Sequence, residues 1–116
     1  MKTLFISIPI IFFTMICIVP TTFALTQEQC PDLTKTSTVP EGWYLSYGKL
    51  TGNNQFKETV ISLNNLIGCS YDDHSVLLMR QHPGCKIQRV FPNNWSGGAG
   101  AGYWCTTSIE GCAYKY

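Results

Sequence analysis

Six cysteines in a chain of 116 residues constrain this sequence more than any other feature. The first, Cys17, stands inside an N-terminal segment that runs Met1-Lys2, an apolar stretch from Leu4 to Val19, Pro20, and the exit Thr22-Phe23-Ala24. One positive charge, a short apolar core and a small residue at the end form the pattern of a secretory leader, cut after Ala24. The apolar stretch is shorter than the roughly 20 residues of a spanning helix, which argues against a retained anchor. Neither Ile16 before Cys17 nor Gln29 before Cys30 is the small residue that a lipid-modified cysteine follows. Residues 1–24 are thus predicted to be a signal peptide and residues 25–116 a single exported domain, secreted or periplasmic, with no stable membrane insertion after cleavage.

Cleavage would leave Cys30, Cys69, Cys85, Cys105 and Cys112. An oxidising compartment makes disulfides the first reading, and a domain this small gains from them because its core is limited. Five is odd, so at most two bridges close within the mature chain. The remaining thiol is then free, paired between chains, or buried as a small hydrophobe. No Cys-x-x-Cys occurs and neither His74 nor His82 has a paired ligand spacing, so no metal and no cofactor is expected. The chain has 8 Lys and Arg against 7 Asp and Glu; without Lys2 the balance is 7 to 7. Such neutrality argues against nucleic acid as a partner.

The pattern predicts an all-β fold. From Gln27 to Pro40 the chain is polar and reads as an extended arm. Trp43, Leu45 and Tyr47 then alternate with Tyr44 and Ser46 before the turn formers Thr51-Gly52-Asn53-Asn54, which suggests a hairpin. Phe56 to Tyr71 reads as a strand region with a bulge or bend at Asn64-Asn65, and Val76 to Met79 as a central strand, apolar on both parities. Across the turn Asp72-Asp73-His74-Ser75, pairing Tyr71 with Val76 sets Cys69 opposite Leu78. Across Gln81-His82-Pro83-Gly84, pairing Gln81 with Cys85 sets Met79 opposite Ile87 and completes a three-stranded meander. Asn93 to Gly102 is glycine-rich and reads as a loop. Tyr103–Thr107 and Cys112–Tyr116 would close a last hairpin, bringing Cys105 opposite Cys112 within bridging reach. The expected architecture is an antiparallel meander of five to six strands, a small sandwich or partly open barrel stapled by disulfides.

Cys30-Pro31, Gly42-Trp43, Cys69-Ser70-Tyr71 before a Val-Leu-Leu strand, and Tyr103-Trp104-Cys105 followed by Cys112-Ala113-Tyr114 together resemble an uncharacterised family of small exported bacterial proteins. The resemblance brings no activity with it. It implies a compact β domain with four framework cysteines, Cys30, Cys69, Cys105 and Cys112, and with them a Cys30–Cys69 pair. Cys85 departs from that pattern and is the expected unpaired thiol.

Motifs for chemistry are weak. Gly97 to Gly102 lacks the Lys-Ser/Thr of a phosphate loop and has Tyr103 where a dinucleotide fingerprint needs glycine. Gly68-Cys69-Ser70-Tyr71-Asp72 misses the last glycine of a hydrolase elbow. His82 lies three residues before Cys85, so a thiol enzyme at Cys85 is one alternative, although a Pro-Gly turn should direct the imidazole outward. Asp72, Asp73 and His74 read as a solvated turn. The three tryptophans are the unusual feature; Trp43, Tyr47, Tyr71 and Trp104 are assigned to the core, whereas Trp95 and Tyr103 are the expected exposed contacts. The sequence therefore predicts a small secreted non-enzymatic binding or interaction protein whose partner is a protein, including a hydrolase to be inhibited. The alternative is a glycan or cell-wall module that stacks sugars on Trp95 and Tyr103.

Overall fold

The computed structural model describes residues 26–116. The predicted signal peptide, with Cys17, lies outside the described residues. The described residues form nine short strands: β1 (Gln27–Glu28), β2 (Tyr44–Tyr47), β3 (Phe56–Ile61), β4 (Leu66–Tyr71), β5 (Val76–Gln81), β6 (Gln88–Arg89), β7 (Trp95–Gly98), β8 (Gly102–Cys105) and β9 (Tyr114–Lys115). A single 3-10 turn, Pro92–Asn94, precedes β7, and no α-helix occurs among the described residues. The strands form a six-stranded antiparallel sheet, β2-β5-β4-β3-β8-β7, and a three-stranded one, β1-β9-β6. Over the described residues the fold is all-β, with two open sheets and no closed barrel.

Successive side chains of a strand point to opposite faces, so aligned register sorts whole rows to one side. Leu45, Leu78, Cys69, Thr59, Cys105 and Trp95 are consecutive Cα partners across all six strands of the large sheet. This row faces inward. It joins Leu33, Ile67, Tyr71 and Val76, with Tyr114 of the small sheet, in one buried cluster. The core therefore lies between the two sheets. Its one buried hydroxyl on β3 is satisfied, because Thr59 Oγ1 donates to the Cys30 sulfur at 3.0 Å.

Two disulfides fasten this core. Cys30–Cys69 ties the N-terminal arm to the central strand β4, and Cys105–Cys112 ties the end of β8 to the segment leading into β9. Both match the expected framework. The expectation for Cys85 is overturned: it is disulfide-bonded, and no cysteine among the described residues is free.

The β4–β5 hairpin has the register expected from its turn, with Tyr71 opposite Val76 and Cys69 opposite Leu78. Asp72, Asp73 and His74 all take left-handed φ angles in that turn, 53°, 57° and 75°. Several other assignments change. Asn65, with φ of 59°, belongs to the turn between β3 and β4, not to a bulge within one strand. β2 does not form a hairpin with the segment after Asn54 but pairs with β5, so Met79 faces Tyr44 and not Ile87. Of the expected strand from Cys85 to Phe91, two residues form a strand, β6, and it pairs with β9 in the small sheet. The glycine-rich stretch is not a loop but half of a hairpin, β7 with β8. It folds this way because Gly97 and Gly102 sit at φ of 107° and 84°, where a side chain would be strained. The last hairpin is absent as well: β8 pairs with β3 and β7, while β9 pairs with β1 and β6.

Candidate functional site

The outward face of the large sheet is built from the alternate row. Tyr44, Met79, Gly68, Val60, Trp104 and Ser96 are consecutive partners across the same six strands. At about 4.8 Å per strand, this row carries an aromatic ring at each flank roughly 19 Å apart. Tyr44 is 53 % exposed, Tyr47 50 % and Trp104 42 %.

Gly68 makes the middle of the row concave. A Cβ placed there would meet Leu77 Cδ1 at 3.6 Å and Val60 Cβ at 3.9 Å, so its absence leaves space between their side chains. The result is a groove of about 260 Å³. Leu66, Gly68 and Ser70 of β4 line its middle, with Val60 and Ser62 on one side and Tyr47, Leu77 and Met79 on the other. Glu58, opposite Ser70, also stands on this face, with the His74 imidazole 3.8 Å from its carboxylate. Apolar and aromatic side chains in this density, uncovered among the described residues, are a feature of surfaces that meet partners.

Trp95 and Tyr103 do not form the exposed pair expected from sequence. Trp95 is 8 % exposed, faces Cys105 on the inner side of the sheet, and holds its indole N–H buried without a partner. Tyr103 is half-buried under the Arg89 guanidinium, whose carbon lies 4.0 Å from the ring centroid. The exposed tryptophan is Trp104, assigned to the core by sequence. Tyr47 is likewise exposed, whereas Tyr71 is fully buried and donates its hydroxyl to the Pro31 carbonyl at 2.6 Å.

A second cluster lies where β1 meets β9. The Glu28 carboxylate pairs with Arg80 at 2.7 Å and His82 at 2.9 Å, and it accepts the Tyr114 hydroxyl. His82 stacks on Tyr116 at 3.9 Å, and Arg80 lies over Trp43 at 5.7 Å. The imidazole thus points inward, contrary to the outward direction expected from its turn, and it serves Glu28 and not Cys85. Burial, then the hydrogen bond to Glu28, pushes the Tyr114 hydroxyl far above its ordinary range. Both Glu28 oxygens are engaged, so the network fixes the strands that carry it.

The acidic turn is structural. Asp72 accepts from the Gln55 N–H at 2.8 Å and from the Asn54 side chain at 2.6 Å. Among the described residues no group of three or more His, Cys, Asp or Glu could hold a metal ion. No helix among them is long and apolar enough to cross a membrane.

Neither the outer-face row nor the Glu28 network was anticipated from sequence. One signal for the first was present: the run Val76 to Met79 is apolar on both parities. A central strand was expected there, and β5 does lie between β2 and β4, but Leu77 and Met79 belong to the open outer face. For the second there was none, since Glu28 and His82 are separated by 54 positions. Compared with known proteins, the chain matches no family model, and no curated protein or solved structure matches it.

Proposed function

We propose that this chain is a binding protein that acts outside the cell or in the periplasm, without a reaction of its own, and that it docks a protein partner on the outer face of the large sheet. The observation that carries this reading is the row Tyr44, Met79, Gly68, Val60, Trp104, with its glycine-floored groove. The partner is a surface with aliphatic side chains, because Val60, Leu66, Leu77 and Met79 make most of the groove lining. Two disulfides support the exported setting.

The test is a photo-activated cross-linker at Leu77, on the groove wall, with Lys35 on the arm as the control position, in cells that export the protein. A discrete heterologous adduct from position 77, absent from position 35 and lost when Gly68→Leu fills the groove, is the expected result. Adducts shared by both positions, adducts only to a second copy, or none at all would overturn it.

A further inference from the structure

Tyr103 and Trp104 are neighbours on β8 and point to opposite faces, so the side of the sheet away from the docking face has a surface of its own there. A cleft of about 560 Å³ opens between residues 86–89 and the β7–β8 hairpin. Lys86, Gln88 and Arg89 line it together with Ile87, Pro92 and Ala99, and Tyr103 closes it from below Arg89. No acidic side chain is among the lining residues.

Charge is unevenly placed here. The whole chain carries a formal +1, yet two cations face this cleft, and among the described residues the ion pairs belong to Lys57, His74, Arg80 and His82, not to Lys86 or Arg89. Arg89 is held through its flat face on Tyr103, which leaves the N–H edges of the fork for a ligand. A pre-positioned fork of this kind matches the two oxygens of a carboxylate or phosphate. The volume is that of a small-molecule site and far more than one oxyanion fills. Ile87, Pro92 and Ala99 offer apolar walls, and Gln88 offers both a donor and an acceptor.

We infer that this cleft binds an acidic sugar, with its carboxylate or phosphate on Arg89 and Lys86, its C–H face against Pro92 and Ala99, and its hydroxyls toward Gln88. Sugars suit such a site because one face is apolar and the rim is rich in hydroxyls, and the added anion uses the two unpaired cations. The inference is independent of the docking face and its outcome does not depend on it.

Calorimetric titration of the purified exported chain decides the matter, with digalacturonate, a hexose monophosphate, neutral galactobiose and triglutamate as probes. Saturable binding of one or both acidic sugars is expected, and which of them binds separates carboxylate from phosphate. Galactobiose and triglutamate should bind far more weakly. Arg89→Ala should lose about tenfold or more in affinity, and Arg89→Lys should fall between the two because it keeps the charge without the fork. Near-ultraviolet circular dichroism checks that each variant is folded, and Gly68→Leu should bind the sugar unchanged. Absence of binding by both acidic sugars, equal binding of galactobiose or triglutamate, or an Arg89→Ala variant of native affinity would overturn the inference.

Discussion

The Tyr114 hydroxyl donates to the Glu28 carboxylate, joining β9 to β1, the last and first strands of the described residues. The same carboxylate holds Arg80 and His82, so one side chain ties the small sheet to β5 and the turn that follows it. Removing it leaves a guanidinium and a buried imidazole without their partner. Glu28→Ala should therefore lower stability by about 2–3 kcal/mol, somewhat less than a fully dry pair, since the Arg80 side chain is 28 % exposed. Lys57→Ala, which removes an exposed pair at 3.7 Å, should change stability by less than about 0.5 kcal/mol. Urea unfolding of both variants reads the contrast; equal losses would refute the structural role given to Glu28.

The Cys30–Cys69 and Cys105–Cys112 bridges should differ in worth. Cys30–Cys69 spans a sequence separation of 39 and Cys105–Cys112 one of 7. Chain-entropy reasoning assigns about 4 kcal/mol to the first and about 2 kcal/mol to the second. Double replacement of each pair by alanine, followed by denaturant titration, should reproduce that order.

Alkaline pH should destabilise the fold through its buried tyrosines. Burial pushes the Tyr71 and Tyr114 hydroxyls well above their ordinary value of 10.0. Below that value neither the folded nor the unfolded chain is ionised there, and stability does not respond. Above it the unfolded chain gives up protons that the folded chain keeps, so stability falls as pH rises, by about 1.4 kcal/mol per pH unit for each tyrosine. Melts taken on both sides of pH 10 should show this slope, and Tyr114→Phe should reduce it by about one proton.

Trp95 and Trp104 should report opposite environments although both stand on adjacent strands. Iodide should quench Trp104 and leave Trp95 nearly untouched, which Trp104→Phe would make visible as a loss of the quenchable fraction. Trp95→Phe should cost less than about 1.5 kcal/mol, because the ring stays buried and the removed N–H has no partner. Trp95→Ala should cost about 3–5 kcal/mol through the cavity it opens.

Local signals in the sequence were sufficient where partners are close along the chain. The turn at Asp72–Ser75 fixes the β4–β5 register, and from it Cys69 opposite Leu78 follows. The Cys105–Cys112 bridge was expected from a final hairpin that does not form; the bridge is present all the same, with the strands around it paired elsewhere. Pairings between distant segments were not legible, because alternation shows that Tyr44–Tyr47 is a strand without naming β5 as its neighbour. That gap hid the candidate site. Which way Trp95 and Trp104 point depends on β7 and β8 pairing with each other and β8 with β3, and glycine content alone read as a loop there.

The pairing of β1 with β9, closed by reciprocal backbone bonds between Thr26 and Tyr116, orders events during synthesis. A ribosome makes Gln27 long before Lys115, so β1 has no β9 to pair with until residues 114–115 have emerged. Both outer strands of the small sheet, β1 and β6, depend in this way on β9, the strand made last of the three.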